Sequence, residues 1–348
     1  MTGGSARLSA RRLVGTLAVC LAIAAVIAVV APLVGVVMGR DGRHLELLGL
    51  SAFHDGSADH AILWVRVPRV LASLLVGGAL AGAGCALQAL LRNPLAEPFT
   101  LGISSGSSLA AVLAIRLGIE GALGGVGVGG AALAGAVITL LLVWRLARIG
   151  RQLPPATLVL AGVTVSMWCS AASVLIQYTS DFADVSRMLR WMMGGLDSMQ
   201  LSSVGYAAAP ILGGLAILVA YARELNALAA GPEVAASLGV AVARTQVVVF
   251  AVASLLVGAA IALAGPIGFI GLIVPHLLRA VIGPDHRLLV PASVLGGAVL
   301  LTVCDTLART VTAPAQLPTG AVTAVLGGPF FVLILVGQKR RAAAWGRG

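Results

Sequence analysis

The side chains able to do chemistry are few, and most of them are arginines. Asp305 and Arg309 stand four residues apart in CDTLAR. On a helix that spacing puts both on one face, acid before base, the favourable order. It reads either as an ion pair at a membrane interface or as an arginine presented outward. Arg66 and Arg69 in RVPR share a helical face in the same way. Arginine forks pair carboxylates bidentately, so three at one surface suit acidic groups on a partner.

Other patterns resolve into structure rather than chemistry. His44, His54 and His60 are spaced by 10 and 6 residues, which fits no metal-ligand motif. Gly125, Gly127 and Gly130 formally match a dinucleotide fingerprint, but no strand precedes them, and the stretch reads as a connector. A phosphate-binding loop needs a lysine, and the only one is Lys339, near the C-terminus. No nucleophile–base–acid set stands out, so no catalytic residue is assigned and a membrane-bound enzyme is disfavoured. His276 reads as an interfacial histidine. Cys20, Cys85, Cys169 and Cys304 lie far apart in apolar segments and read as small buried side chains.

The elements that must position these groups are membrane spans. Of 348 residues 59% are apolar and 10% charged, with mean hydropathy +1.02, more than a soluble core requires. A span takes about 20 apolar residues to cross roughly 30 Å of hydrocarbon. Ten segments qualify: 13–38, 67–91, 100–117, 122–146, 157–178, 201–221, 244–264, 267–281, 288–310 and 319–336. They are long and do not alternate, so helices are expected rather than a barrel. The expected fold is an all-α polytopic membrane protein of about ten transmembrane helices. Its domains are a tail at 1–12, one transmembrane domain at 13–338 and a tail at 339–348. Pro68 is expected near the start of the second span, and Arg92-Asn93-Pro94 at its stop.

The net charge of +10 reads as topology rather than nucleic-acid binding. With the N-terminus inside and ten crossings, the inner segments hold 15 basic and 4 acidic residues, and the outer ones 8 and 9. Both ends are then cytoplasmic. The loop 222–244 falls inside and carries a short helix over 232–238, with Gly231 at its cap, Pro232 and Glu233 in its first turn and Gly239 as its stop. A helix so short needs something to dock on. Residues 184–193 form an amphipathic surface helix outside.

Two segments echo each other. Residues 72–84 (ASLLVGGALAGAG) and 253–265 (ASLLVGAAIALAG) agree at ten of 13 positions, at an offset of 181 (253 minus 72). Broken apolar segments at matching places mark transporters built from repeats. The charge count runs one copy inward and the other outward, as an inverted repeat requires. Small residues at Gly102, Ser104–Ser108, Gly129, Gly130 and Gly135 allow close helix approach. Few buried charges argue against proton or sodium coupling, although a secondary transporter or channel working without ATPase partners is the main alternative.

The motifs RVPRVLASLLVGGALAGAGCALQALLRNPLAEP, LGISSGSSL, WMMGGL, ALAAGPEVAASLGV, AGPIGFIGLIVPHLLR, GPDHRLLVP, CDTLARTV and QLPTGAVTAVLGGPFF together resemble the FecCD-type permease subunits of ABC importers for iron-siderophores, haem and vitamin B12. The likeness runs from about Arg66 to Phe331. It implies import of a metal chelate such as an iron-siderophore across a bacterial inner membrane. It also implies two permease subunits forming one pore, two cytosolic ATPases that bind ATP and magnesium, and an external binding protein. This chain would hold no cofactor and contact only lipid and those proteins. On this pattern Arg66, Arg69 and Arg309 receive acidic residues of the binding protein. Asn93, Leu95, Pro155 and Ala156 fall at cytoplasmic gates, and spans five and ten line the pore. Glu233, Ala236, Leu238 and Gly239 belong to the helix that couples to the ATPase. Two departures stand out: Gly231-Pro232-Glu233 where Gly-Glu-Glu is commoner, and Gln316-Leu317-Pro318 in place of Glu-Leu-Pro.

Overall fold

The computed structural model describes residues 3–39, 42–48, 54, 56–119, 127–150, 153–197 and 199–345. Asp55, Arg151 and positions 121–126 of the glycine-rich connector lie outside them, as does the side chain of His44. The chain begins with α1 (Gly3–Val30) and an antiparallel hairpin, β1 (Val34–Gly39) and β2 (Gly42–Leu47), in which Val34 pairs with Leu47. Helix α2 (Ala58–Leu91) and a 3-10 turn (Pro98–Leu101) lead to α3 (Ile103–Arg116). Next come α4 (Gly127–Ala147), α5 (Pro155–Tyr178), the surface helix α6 (Phe182–Met192), α7 (Leu201–Ala220), α8 (Ala222–Ala230) and α9 (Pro232–Ser237). The last four are α10 (Val242–Ala264), α11 (Ile270–Ile282), α12 (His286–Thr310) and α13 (Thr319–Trp345). Each of the ten expected spans is occupied by a helix, and α2, α4, α5, α7, α10 and α12 are long and apolar enough to cross a membrane unaided.

The largest differences from expectation fall at four boundaries: α1 starts at Gly3 rather than 13, α13 runs on to Trp345 rather than 336, and two more follow. The first span ends at Val30, because the β-branched, glycine-punctuated run VGVVMG goes into β1. Helix α2 starts nine residues before Val67, so Pro68 sits inside it rather than at its start. Ser57 supplies the true cap: its hydroxyl accepts from the His60 N–H at 3.0 Å, and Asp59 lies at the positive end of the helix dipole.

Helix α2 is the hub and packs against α12, α10, α11 and α7. Glycine makes this possible. A Cβ on Gly77 would stand 2.2 Å from the Gly297 carbonyl oxygen of α12, and one on Gly84 2.0 Å from that of Gly271 in α11. These backbones cross in contact, the close packing small residues permit in lipid. The small faces of α3 and α4 likewise meet at Gly106 and Gly135.

The echoing segments fall in α2 and α10, each followed by a broken turn and a short helix. The 14 residues of α3 and 13 of α11 each span about 20 Å at 1.5 Å per residue. Fixed contacts show the copies antiparallel. Arg69, early in α2, meets Asp197, two residues after Gly195, whose N–H bonds the Ala264 carbonyl at the end of α10. Helix α2 therefore leaves the end that α10 reaches. The bundle is an all-α membrane fold with an inverted repeat.

Candidate functional site

Three clusters carry the residues singled out by sequence. At one end, Arg69 is 6% exposed and Asp305 1%. Arg69 Nε donates to both Asp305 carboxylate oxygens, at 3.0 and 2.9 Å. Its remaining nitrogens reach the Gln316 side-chain oxygen and, at 3.2 Å, Asp197. Thr319 Oγ1 donates to Asp305 at 2.9 Å. Arg309, although helically adjacent, approaches Asp305 only to 3.9 Å. It donates instead to the carbonyls of Val34 (2.8 Å) and Ala31, just past α1, and Arg66 reaches Pro32 O at 3.3 Å. Asp305 thus pairs across 236 residues rather than within its own helix. Arg69 and Arg309 face inward here, with the half-buried Arg66 nearer the rim. Gln316, a departure from the family pattern, is a working member of this cluster.

At the other end, α2 stops at Arg92, which takes the left-handed conformation with φ 50°. Asn93 Oδ1 then accepts from the Leu95 N–H at 3.0 Å, a turn closed by its own side chain. The chain re-enters the bundle, and Glu97 accepts from the Phe269 N–H at the start of α11. Gln88 accepts from Arg279 Nη2 at 2.8 Å, tying α2 to α11 a second time. Sequence reasoning left Glu97 and Gln88 unassigned. Nothing local to Glu97 shows that its loop folds back onto a helix start 172 residues away. Pro155 and Ala156 form the first turn of α5, which packs on the same 3-10 turn that follows Glu97. Asn93 and Pro94 line a cavity of about 440 Å3 together with Arg92, Arg279, Asp285 and His286. Asp285, outside the spans, is held well below the usual carboxylate range, first by its hydrogen bond from the Arg287 side chain.

The third cluster is α9. Gly239 adopts φ +81° as the residue past its end, and Val240 N–H returns to the Ala235 carbonyl at 3.0 Å. Only Ala235 is buried in the bundle. Glu233, Ala236, Leu238 and Gly239 are exposed, and so is Val234. Val234 and Leu238, 45% and 69% exposed, share a helical face and point away from the fold. The preceding loop is more ordered than expected, since α8 occupies Ala222–Ala230.

Known proteins match this arrangement. The profile of the FecCD transport family covers residues 14–337. The cobalamin import system permease protein of Halobacterium salinarum is 42% identical over 80% of this chain and 74% of its own. The hemin transport system permease protein of Yersinia pestis is 40% identical over 81% and 85%. A solved metal-chelate type ABC transporter in an inward-facing conformation superposes with a TM-score of 0.79 at 29% identity, covering 93% of this chain and 99% of that one. With a profile matching residues 14–337, and with relatives that are permeases of import systems, the chain belongs to the FecCD transport family as an ABC importer permease.

Proposed function

We propose that two permease subunits, this chain and a second copy or a related chain, form a pore passing an iron-siderophore or similar metal chelate into the cell, driven by ATP hydrolysis on separate cytosolic subunits. The observation that carries this reading is α9. An ordered six-residue helix with Val234 in it and Leu238 at its end, both apolar and in solvent, suits a groove on another protein. The relatives' cargoes, cobalamin and hemin, and the metal-chelate type of the solved neighbour support the cargo class. Both termini, Asn93, Leu95, Pro155, Ala156 and α9 then face the cytoplasm of a bacterial inner membrane.

At the outer mouth, Arg66, Arg69 and Arg309 receive acidic residues of the binding protein. An incoming carboxylate competes with the Pro32, Ala31 and Val34 carbonyls for Arg66 and Arg309, while the Asp305 pair holds Arg69 behind them. Reconstitution of the permease with its neighbouring ATPase and binding protein in liposomes should give chelate uptake only with ATP. Uptake by this chain alone would overturn the reading.

A further inference from the structure

The ends of α4 and α10 enclose a cavity that the transport reading does not use. It measures about 540 Å3, and its walls include Trp144, Arg148, Leu153, Val242, Arg244 and Val247. The Arg148 guanidinium carbon sits 5.2 Å from the centre of the Trp144 ring, and its Nε donates to the Gly150 carbonyl at 2.7 Å. The fork is therefore held in a fixed place over the indole. The indole N–H of Trp144 is buried and has no hydrogen-bond partner. Among the described residues no acidic one lines the cavity. Helix α10 begins in this wall with no side chain capping it, adding the positive end of its dipole to the two arginines. Leu141, on the same face of α4 as Trp144 and Arg148, is exposed.

We propose that this cavity binds the headgroup of an anionic phospholipid. Its phosphate sits between Arg148 and Arg244, and an acyl chain lies along the exposed Leu141 on the same face of α4. Basic pockets between helix ends take such headgroups through their net positive charge. A zwitterionic lipid offers the same phosphate but carries its own cation, so the site prefers a net negative headgroup. Because Ala241 lies four residues past the end of α9, a bound lipid also anchors the segment carrying α9 to the bilayer.

The test is native mass spectrometry of the full-length chain from nanodiscs of equal phosphatidylglycerol and phosphatidylcholine, with inorganic phosphate as a separate arm. The wild type should retain phosphatidylglycerol preferentially. R148Q and R244Q should each cut that preference about fivefold, the factor one basic side chain contributes near an anionic surface. R223Q, which removes an exposed charge on α8, should leave the preference intact. The charge-keeping double variant R148K/R244K should retain it and guards against misfolding. The proposal is overturned if the wild type shows no preference, if R223Q matches R148Q, or if R148K/R244K loses the lipid. It is equally overturned if inorganic phosphate binds in place of the lipid. Thiol labelling that reversed the membrane orientation would defeat the transport topology and leave this lipid result standing.

Discussion

At the scale of single residues, the Arg69–Asp305 pair is the most consequential contact in the chain. Both groups are withdrawn from water, and each is also hydrogen-bonded elsewhere. Removing one member of a buried pair leaves an uncompensated charge, at a cost of about 3–5 kcal/mol. Arg69→Ala should therefore lower thermal stability in detergent sharply, whereas Arg66→Ala, half-exposed and bonded to a carbonyl, should lower it little. Equal melting of both variants would show that the cluster does not hold the mouth together. The sequence displayed Asp305 beside Arg309 and hid its real partner. Local spacing reports helical neighbours, while the Arg69 Nε–H shared by both Asp305 oxygens depends on α2 and α12 crossing at Gly77 and Gly297.

At the scale of elements, α9 and the re-entrant turn behave differently from the long spans. The short helix was legible from Gly231, Pro232 and Gly239, since cap residues act through the backbone on either side of them. Leu238→Asp adds charge at its most exposed apolar position without touching the buried Ala235. It should leave the permease folded and reduce co-purification of the ATPase about tenfold or more, the scale of one lost apolar anchor; unchanged co-purification would sink the coupling role. In the re-entrant turn, Glu97→Ala leaves the Phe269 N–H without its acceptor. An orphaned buried donor costs about 1–3 kcal/mol, so this variant should raise hydrogen exchange at the start of α11. If exchange there stays at the wild-type rate, Glu97 does not fix the turn.

At the scale of the whole molecule, the charge asymmetry makes a topological prediction. In a background lacking the four native cysteines, Thr179→Cys should react with a membrane-impermeant thiol reagent from outside. Ala236→Cys should react only after the membrane is opened. The reverse pattern would invert the proposed orientation. The antiparallel course of α2 and α10 is independent of that outcome, because it rests on contacts within the bundle.

The sequence by itself determined the class, the helices and the repeat. Apolar length, glycine and proline punctuation and charge distribution act over at most about 20 residues, and each was readable in the 348-residue chain. It determined the positions of α5, α6, α7 and α9 to within two residues. Tertiary structure alone decided which charge meets which. It set Arg69 against Asp305 and Gln316, and placed Glu97 at the start of α11. It also closed Trp144, Arg148 and Arg244 around one cavity. Each of these depends on helices distant in sequence approaching within a few ångströms, where one missing Cβ decides whether two backbones touch.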